Sequence, residues 1–177
     1  MEFVDFDKLG ISVDYLSGFI NNIISTNNKN IINITEIINN DNFKHIINQL
    51  RGYLFEKGYT TKEFYAEIHN QNNQNYKNKF PWHIDSYGAI TGEVVTFIYY
   101  YYITPNTKGG NLMIQEYQKY KWWFFEYKSY TEKTIDVWSE GHRNRFVFME
   151  ENLYHKAEEI SSTEPFERKI LTIFFQI

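Results

Sequence analysis

Two patterns of apolar and polar positions divide the chain. Before about residue 62 the apolar residues recur at helical spacing. Ser12 is a fitting N-cap for a helix running to about Ile24. Phe43, Ile46, Ile47, Leu50 and Leu54 form one stripe of a second helix, capped by Asp41 and stopped by Gly58. The Asn-rich stretch between them reads as surface loop, its isolated Ile residues setting it apart from low-complexity sequence. From Glu63 the spacing changes to short runs rich in β-branched and aromatic residues. These are "EFYAEIH", "EVVTFIYYYYI", "GNLMIQEY", "KWWFFEY", "KTIDVW", "RFVFM" and "RKILTIFFQI", separated by turns such as "TPNTKGG" and "SEGHRN". The expectation is one domain, mainly β with N-terminal helices (α+β): residues 1–62 as helical support and residues 63–177 as a double-sheet barrel or jelly roll.

Composition narrows the function. Aromatic residues make up 19 % of the 177, which favours strands and a ring-filled interior. The net charge of −4 offers no basic face for phosphates, so nucleic acid is not an expected partner. Without cysteine there is no disulfide framework and no thiolate metal site. The acidic start lacks a secretory pattern, and the apolar run at Val94–Ile103 is too short to span a membrane as a helix, so a soluble cytoplasmic protein is expected. No βαβ alternation or glycine-rich phosphate loop supports a nucleotide fold.

Chemistry gathers around "FPWHIDSYG". In an extended segment His83 and Asp85 point to one face and could reach a single ion. Alone, this H-x-D spacing is weak. Downstream, "RFVFMEENLYH" brings His155 after a strand, and the last strand opens with Arg168. Two His and one carboxylate make a facial triad that leaves coordination positions open, and a guanidinium suits a carboxylate guest. His45 and His142 read as surface residues, and His69 as structural.

Together, "HID", "VVTFIYYYYI…GGNLMI", "RFVFMEENLYH" and "RKILTIFF" resemble the catalytic double-stranded β-helix of Fe(II)/2-oxoglutarate-dependent dioxygenases. The resemblance covers about residues 76–175 and is nearest to the prolyl 4-hydroxylase branch, in which a V-T-x-I-Y-Y strand precedes a G-G-x-L turn. It implies His83, Asp85 and His155 as Fe(II) ligands and Arg168 as the partner of the 2-oxoglutarate C5 carboxylate. It implies that Tyr100 helps to hold that carboxylate; Thr172, on the face of Arg168, would line the pocket, and Tyr76 is a weaker candidate. O₂ would be the co-oxidant, with ascorbate admitted as an accessory reductant. A protein or peptide substrate, prolyl residues first, is implied; a free amino acid or other small molecule is the alternative.

Three features depart from the branch: Tyr101-Tyr102 stand where Leu-Asn is common, Ile170 where many relatives have Ser, and Arg168 where collagen-type enzymes have Lys. The Trp122-Trp123 pair is open between core and substrate groove. A cupin-like binding protein without turnover and a zinc hydrolase using the same three ligands are the rival readings.

Overall fold

The computed structural model describes all residues except 36, 38–40, 77–80, 86–92, 151–152 and 163; the side chains at 41–42, 117–122 and 126–128 are also left aside. The expected cap at Asp41 therefore lies outside the described side chains.

Both expected helices form. Helix α1 spans Val13–Thr26, and the Ser12 hydroxyl accepts the Tyr15 N–H at 3.3 Å. Its stripe of Leu16, Phe19, Ile20 and Ile23 is buried, as 3.6-residue periodicity requires. Helix α2 spans Asp41–Glu56 and buries Phe43, Ile46, Ile47, Leu50 and Leu54. Gly58, at φ +88°, ends it: the Gly58 and Tyr59 N–H groups turn back onto the Phe55 and Leu54 carbonyls.

The rest is mainly β. The strands are β1 (Glu2–Asp5), β2 (Ile31–Asn33), β3 (Phe64–Asn72), β4 (Val94–Ile103), β5 (Leu112–Trp122), β6 (Phe125–Ile135), β7 (Arg145–Met149), β8 (His155–Ala157) and β9 (Glu167–Gln176). Their pairings are antiparallel and form a large sheet, β1-β7-β4-β9-β3-β2, and a small one, β6-β5-β8.

The large sheet lies in the middle. Val95, Phe97, Tyr99, Phe146, Phe148, Leu171, Ile173 and Phe175 pack on the helices. The alternate positions Ile98, Val147, Met149 and Ile170 join Leu112, Ile114 and Ile135 of the small sheet. Burial on both faces is why "VVTFIY" is a continuous apolar run rather than an alternating one. Phe97 meets the rings of Phe146, Phe148 and Phe175, a cluster whose truncation at Phe97 costs about 3–5 kcal/mol. Tyr99 and Tyr101 face the helices as expected, and the Tyr101 hydroxyl accepts the Asn21 amide at 2.7 Å.

Several expectations need correction. The first sixty residues are not simply helical, because β1 pairs with β7 and β2 with β3. The Asn-rich segment thus contains strand Ile31–Asn33. "KWWFFEY" is not one strand: Trp123 and Phe124 form the turn between β5 and β6. Neither residue is a usual turn former, so the sequence carried no turn signal there. "KTIDVW" leaves the sheet after Ile135. Trp123 is 84 % exposed and is not core. His142 is half-buried, with its ring stacked on Phe3 at 3.8 Å. No helix among the described residues is long and apolar enough to cross a membrane.

Candidate metal centre

The site lies between the two sheets. His155 opens β8, and a two-way backbone bridge ties it to His83, with N···O distances of 3.0 and 2.9 Å. That bridge carries the 81–85 segment along the free side of β8, so two residues 72 positions apart in sequence become neighbours. Each imidazole has its Nδ1 against a backbone carbonyl, Pro81 O for His83 and Leu153 O for His155, both at 3.0 Å. An Nδ1–H donated to a carbonyl leaves the Nε2 lone pair free to bind a cation.

Both Nε2 atoms turn to the same carboxylate oxygen. Asp85 Oδ1 is 3.4 Å from His155 Nε2 and 3.8 Å from His83 Nε2, and the three candidate ligand atoms lie within 4.8 Å of one another. The other oxygen, Oδ2, accepts the Thr96 hydroxyl at 2.6 Å. Burial works to raise the Asp85 pKa; hydrogen bonding and charge from His155, the Thr96 hydroxyl and the charge of His83 outweigh it and hold Asp85 below the usual carboxylate range. Burial likewise works against protonating His155, yet Asp85 and the Leu153 carbonyl hold its pKa above the ordinary imidazole value. The group is therefore an anion with imidazoles turned to it, a donor set fit for one divalent cation. Among the described residues it is the one cluster of this kind. His83 stays accessible, while His155 is buried.

A cavity of about 170 Å³ connects this centre to Arg168. Its walls are Ile98 and Tyr100 of β4, Leu112 of β5, Ala157 of β8, Ile170, Thr172 and Phe174 of β9, and Glu67, His69 and Gln71 of β3. Residues directly opposed in a ladder share a face, and the register explains this wall. Thr172 lies between Ile98 and Glu67, and Ile170 between Tyr100 and His69.

A bulge follows, because Tyr100 pairs with Ile170 but Tyr102 with Lys169. It lets Ile103 rather than Tyr102 share a row with Arg168. The bulge falls on the Tyr101-Tyr102 pair.

Arg168 is 4 % exposed. Its Nη1 donates to Gln71 Oε1 at 2.9 Å and its Nη2 to the Gly110 carbonyl at 3.2 Å, while Nε is buried without a partner. The guanidinium sits 5.7–5.8 Å from the ring centres of Tyr76, Tyr100 and Trp138. No carboxylate among the described residues forms an ion pair with it. Burial lowers its pKa and raises that of Tyr100, whose rise the Arg168 charge opposes. A buried cation without a counter-ion is costly, and an anionic guest would relieve that cost.

The Gly109-Gly110 turn serves this arrangement directly. Both residues have positive φ, at +87° and +78°. A Cβ on Gly109 would run into the Glu159 carbonyl. The Gly110 carbonyl accepts from Arg168 and also, at 3.0 Å, from Trp138 Nε1.

The cavity thus brings together His83, Asp85, His155, Tyr100, Arg168 and Thr172. Tyr76 is not among the residues that line it; its ring lies beside the Arg168 guanidinium and its hydroxyl donates to the Glu158 carbonyl at 3.0 Å. His69, expected to be structural, lines the cavity with Nε2 at 2.5 Å from Glu67 Oε1. Sequence reading missed Glu67, Gln71 and Thr96. The period-2 spacing of Glu67, His69 and Gln71 was the available signal for the β3 wall. No family model matches the chain, and no curated protein matches it.

Proposed function

We propose that the protein is an Fe(II)- and 2-oxoglutarate-dependent dioxygenase that hydroxylates its substrate, with prolyl residues of a protein or peptide the first candidates. One observation carries this reading. A His-Asp-His group and a buried Arg168, without a carboxylate partner among the described residues, bound the same small cavity. A dicarboxylate that chelates a metal through one end needs a cation at the other, and the cavity supplies both ends. The donor set fits Fe(II), since two imidazoles and one carboxylate leave positions for a chelating cosubstrate and O₂. Two antiparallel sheets enclosing the site, backed by helices, agree with a double-stranded β-helix.

When bound, the iron and 2-oxoglutarate would supply an oxidant for a C–H bond, with succinate and CO₂ as by-products. His83, Asp85 and His155 would hold the metal, and Thr96 fixes which carboxylate oxygen faces it. Arg168, with Tyr100 beside it, would take the far carboxylate; Ile98, Ile170 and Leu112 keep water off the chain between. Gln71 and the Gly110 carbonyl aim the guanidinium. A zinc hydrolase would use the three ligands but would leave unexplained a buried Arg168 with no carboxylate partner among the described residues.

The test is an anaerobic titration with Fe(II) and 2-oxoglutarate, watching for the visible metal-to-ligand band of a chelated cosubstrate. The band is expected in the parent, absent in Asp85→Ala and weakened in Arg168→Met. A folded parent that binds Fe(II) yet develops no band would overturn the reading.

A further inference from the structure

The β5–β6 hairpin is longer than the sheet that holds it. Among the described residues, strand β8 pairs with β5 over Leu112–Ile114, and the tie nearest the tip is the Gln115 N–H to the Tyr154 carbonyl at 2.8 Å. From Glu116 to Trp122 the two strands pair with each other alone among the described residues, an arm of about 20 Å or more. At its end stand Trp123, Phe124 and Phe125, exposed by 84 %, 89 % and 71 %. Three adjacent rings in water at a projecting tip do nothing for the core.

The turn adds a second, independent observation. Trp123 is the first residue of a two-residue loop and has φ +56°, a position that primed hairpin turns give to Gly or Asn. A bulky residue there is an outlier, so the tip bears strain in order to present an indole.

The charge pattern behind the tip indicates what the rings meet. In a chain of net charge −4, residues 117–130 hold three lysines against one glutamate. The register orders them: the Trp122–Phe125 pair at the tip, then Lys121–Glu126, Tyr120–Tyr127 and Lys119–Lys128. Lys119 is four residues behind Trp123, about 13 Å along the strand. Nearer the root, Glu116 is paired with Lys133 at 3.2 Å. Apolar rings at the end, followed along the ladder by one Lys–Glu row, a tyrosine row and a lysine row, suit a membrane surface, in which rings enter the headgroup–acyl boundary and the lysine excess meets anionic headgroups.

We infer that this arm docks the protein on a bilayer surface carrying anionic lipid. The inference does not depend on the metal centre, and its test does not involve iron.

The full-length protein would be sedimented with phosphatidylcholine vesicles, with and without roughly one-third phosphatidylserine. Binding is expected only to the anionic vesicles and should fall as salt rises, with a blue shift of tryptophan emission. Trp123→Asn/Phe124→Ser, which suits the left-handed position and replaces only exposed side chains, should lower the partition at least tenfold with an unchanged melting temperature. Lys119→Gln/Lys128→Gln should lower it on the order of tenfold while leaving the rings in place. Equal sedimentation with neutral vesicles, or full binding by either variant, would overturn the inference. So would two other results: capture by soluble polyglutamate as strong as by vesicles, which would indicate an acidic protein partner, or vesicle-free self-association that the tip variant abolishes.

Discussion

The Thr96 hydroxyl donates to Asp85 Oδ2 at 2.6 Å, which leaves Oδ1 as the oxygen facing both imidazoles. Thr96 is buried on β4, a rigid central strand, so the carboxylate is oriented before any ion arrives. Thr96→Val keeps the shape and removes the donor. Divalent-cation affinity is expected to fall about 10–100-fold, the usual effect of losing a partner behind a ligand. Calorimetry with Fe(II) under argon or with Co(II) measures it. An unchanged affinity would mean that Thr96 has no part in orienting Asp85.

Metal affinity should also depend on pH in a definite direction. The cation must displace the proton from His155, whose pKa Asp85 holds above the ordinary 6.5 despite burial. Asp85 itself is held low and stays ionised across this range. Affinity should therefore rise with pH through the raised His155 value and level off above it. Titrations at several pH values between about 5 and 9 test this; an affinity that is flat or falls toward neutrality would contradict it.

Arg168→Met separates binding from folding. It removes a buried charge that has no carboxylate partner among the described residues, which by itself favours the fold, but it strands Gln71 and one bond to the Gly110 carbonyl. These effects oppose, so the melting temperature should change little. The affinity for 2-oxoglutarate should fall by about 2–5 kcal/mol, on the order of 30-fold or more. Thermal melting of the apoprotein and cosubstrate titration of the metal-loaded protein give the two halves.

Gly109→Ala and Gly10→Ala form a matched pair. Both glycines have positive φ, but an added Cβ meets the Glu159 carbonyl at Gly109 and open space at Gly10. Gly10→Ala should cost about 1–2 kcal/mol for the left-handed backbone alone. Gly109→Ala adds a backbone collision and should cost about 2–5 kcal/mol in total. It should also weaken the anion site, because the neighbouring Gly110 carbonyl aims Arg168. Urea denaturation of both variants checks the order.

The sequence by itself determined the parts whose physics is local. The stripe Phe43, Ile46, Ile47, Leu50, Leu54 and the cap at Ser12 specify helices, because 3.6-residue spacing and an unsatisfied first turn are properties of a short segment. The strands at Val94–Ile103, Arg145–Met149 and Glu167–Gln176 were legible from β-branched and aromatic density. So was the same-face placement of His83 with Asp85 and of Arg168 with Thr172, which period 2 dictates.

Tertiary structure decided whatever depended on a partner. Strands β1 and β2 exist because β7 and β3 offer edges to them, and four- and three-residue segments have too little pattern to announce this. The turn at Trp123-Phe124 uses residues that carry no turn signal, so only the β5–β6 register reveals it. The place of His69 on the cavity wall follows from β3 lying beside β9, which puts Glu67, His69 and Gln71 in rows with Thr172, Ile170 and Arg168. The bulge at Tyr101 selects Ile103 to stand beside Arg168, a choice made by ladder geometry rather than by residue type. The bridge between His83 and His155 is the plainest case. No local rule relates residues that far apart, and backbone pairing beside β8 is what makes two imidazoles and one carboxylate a single centre.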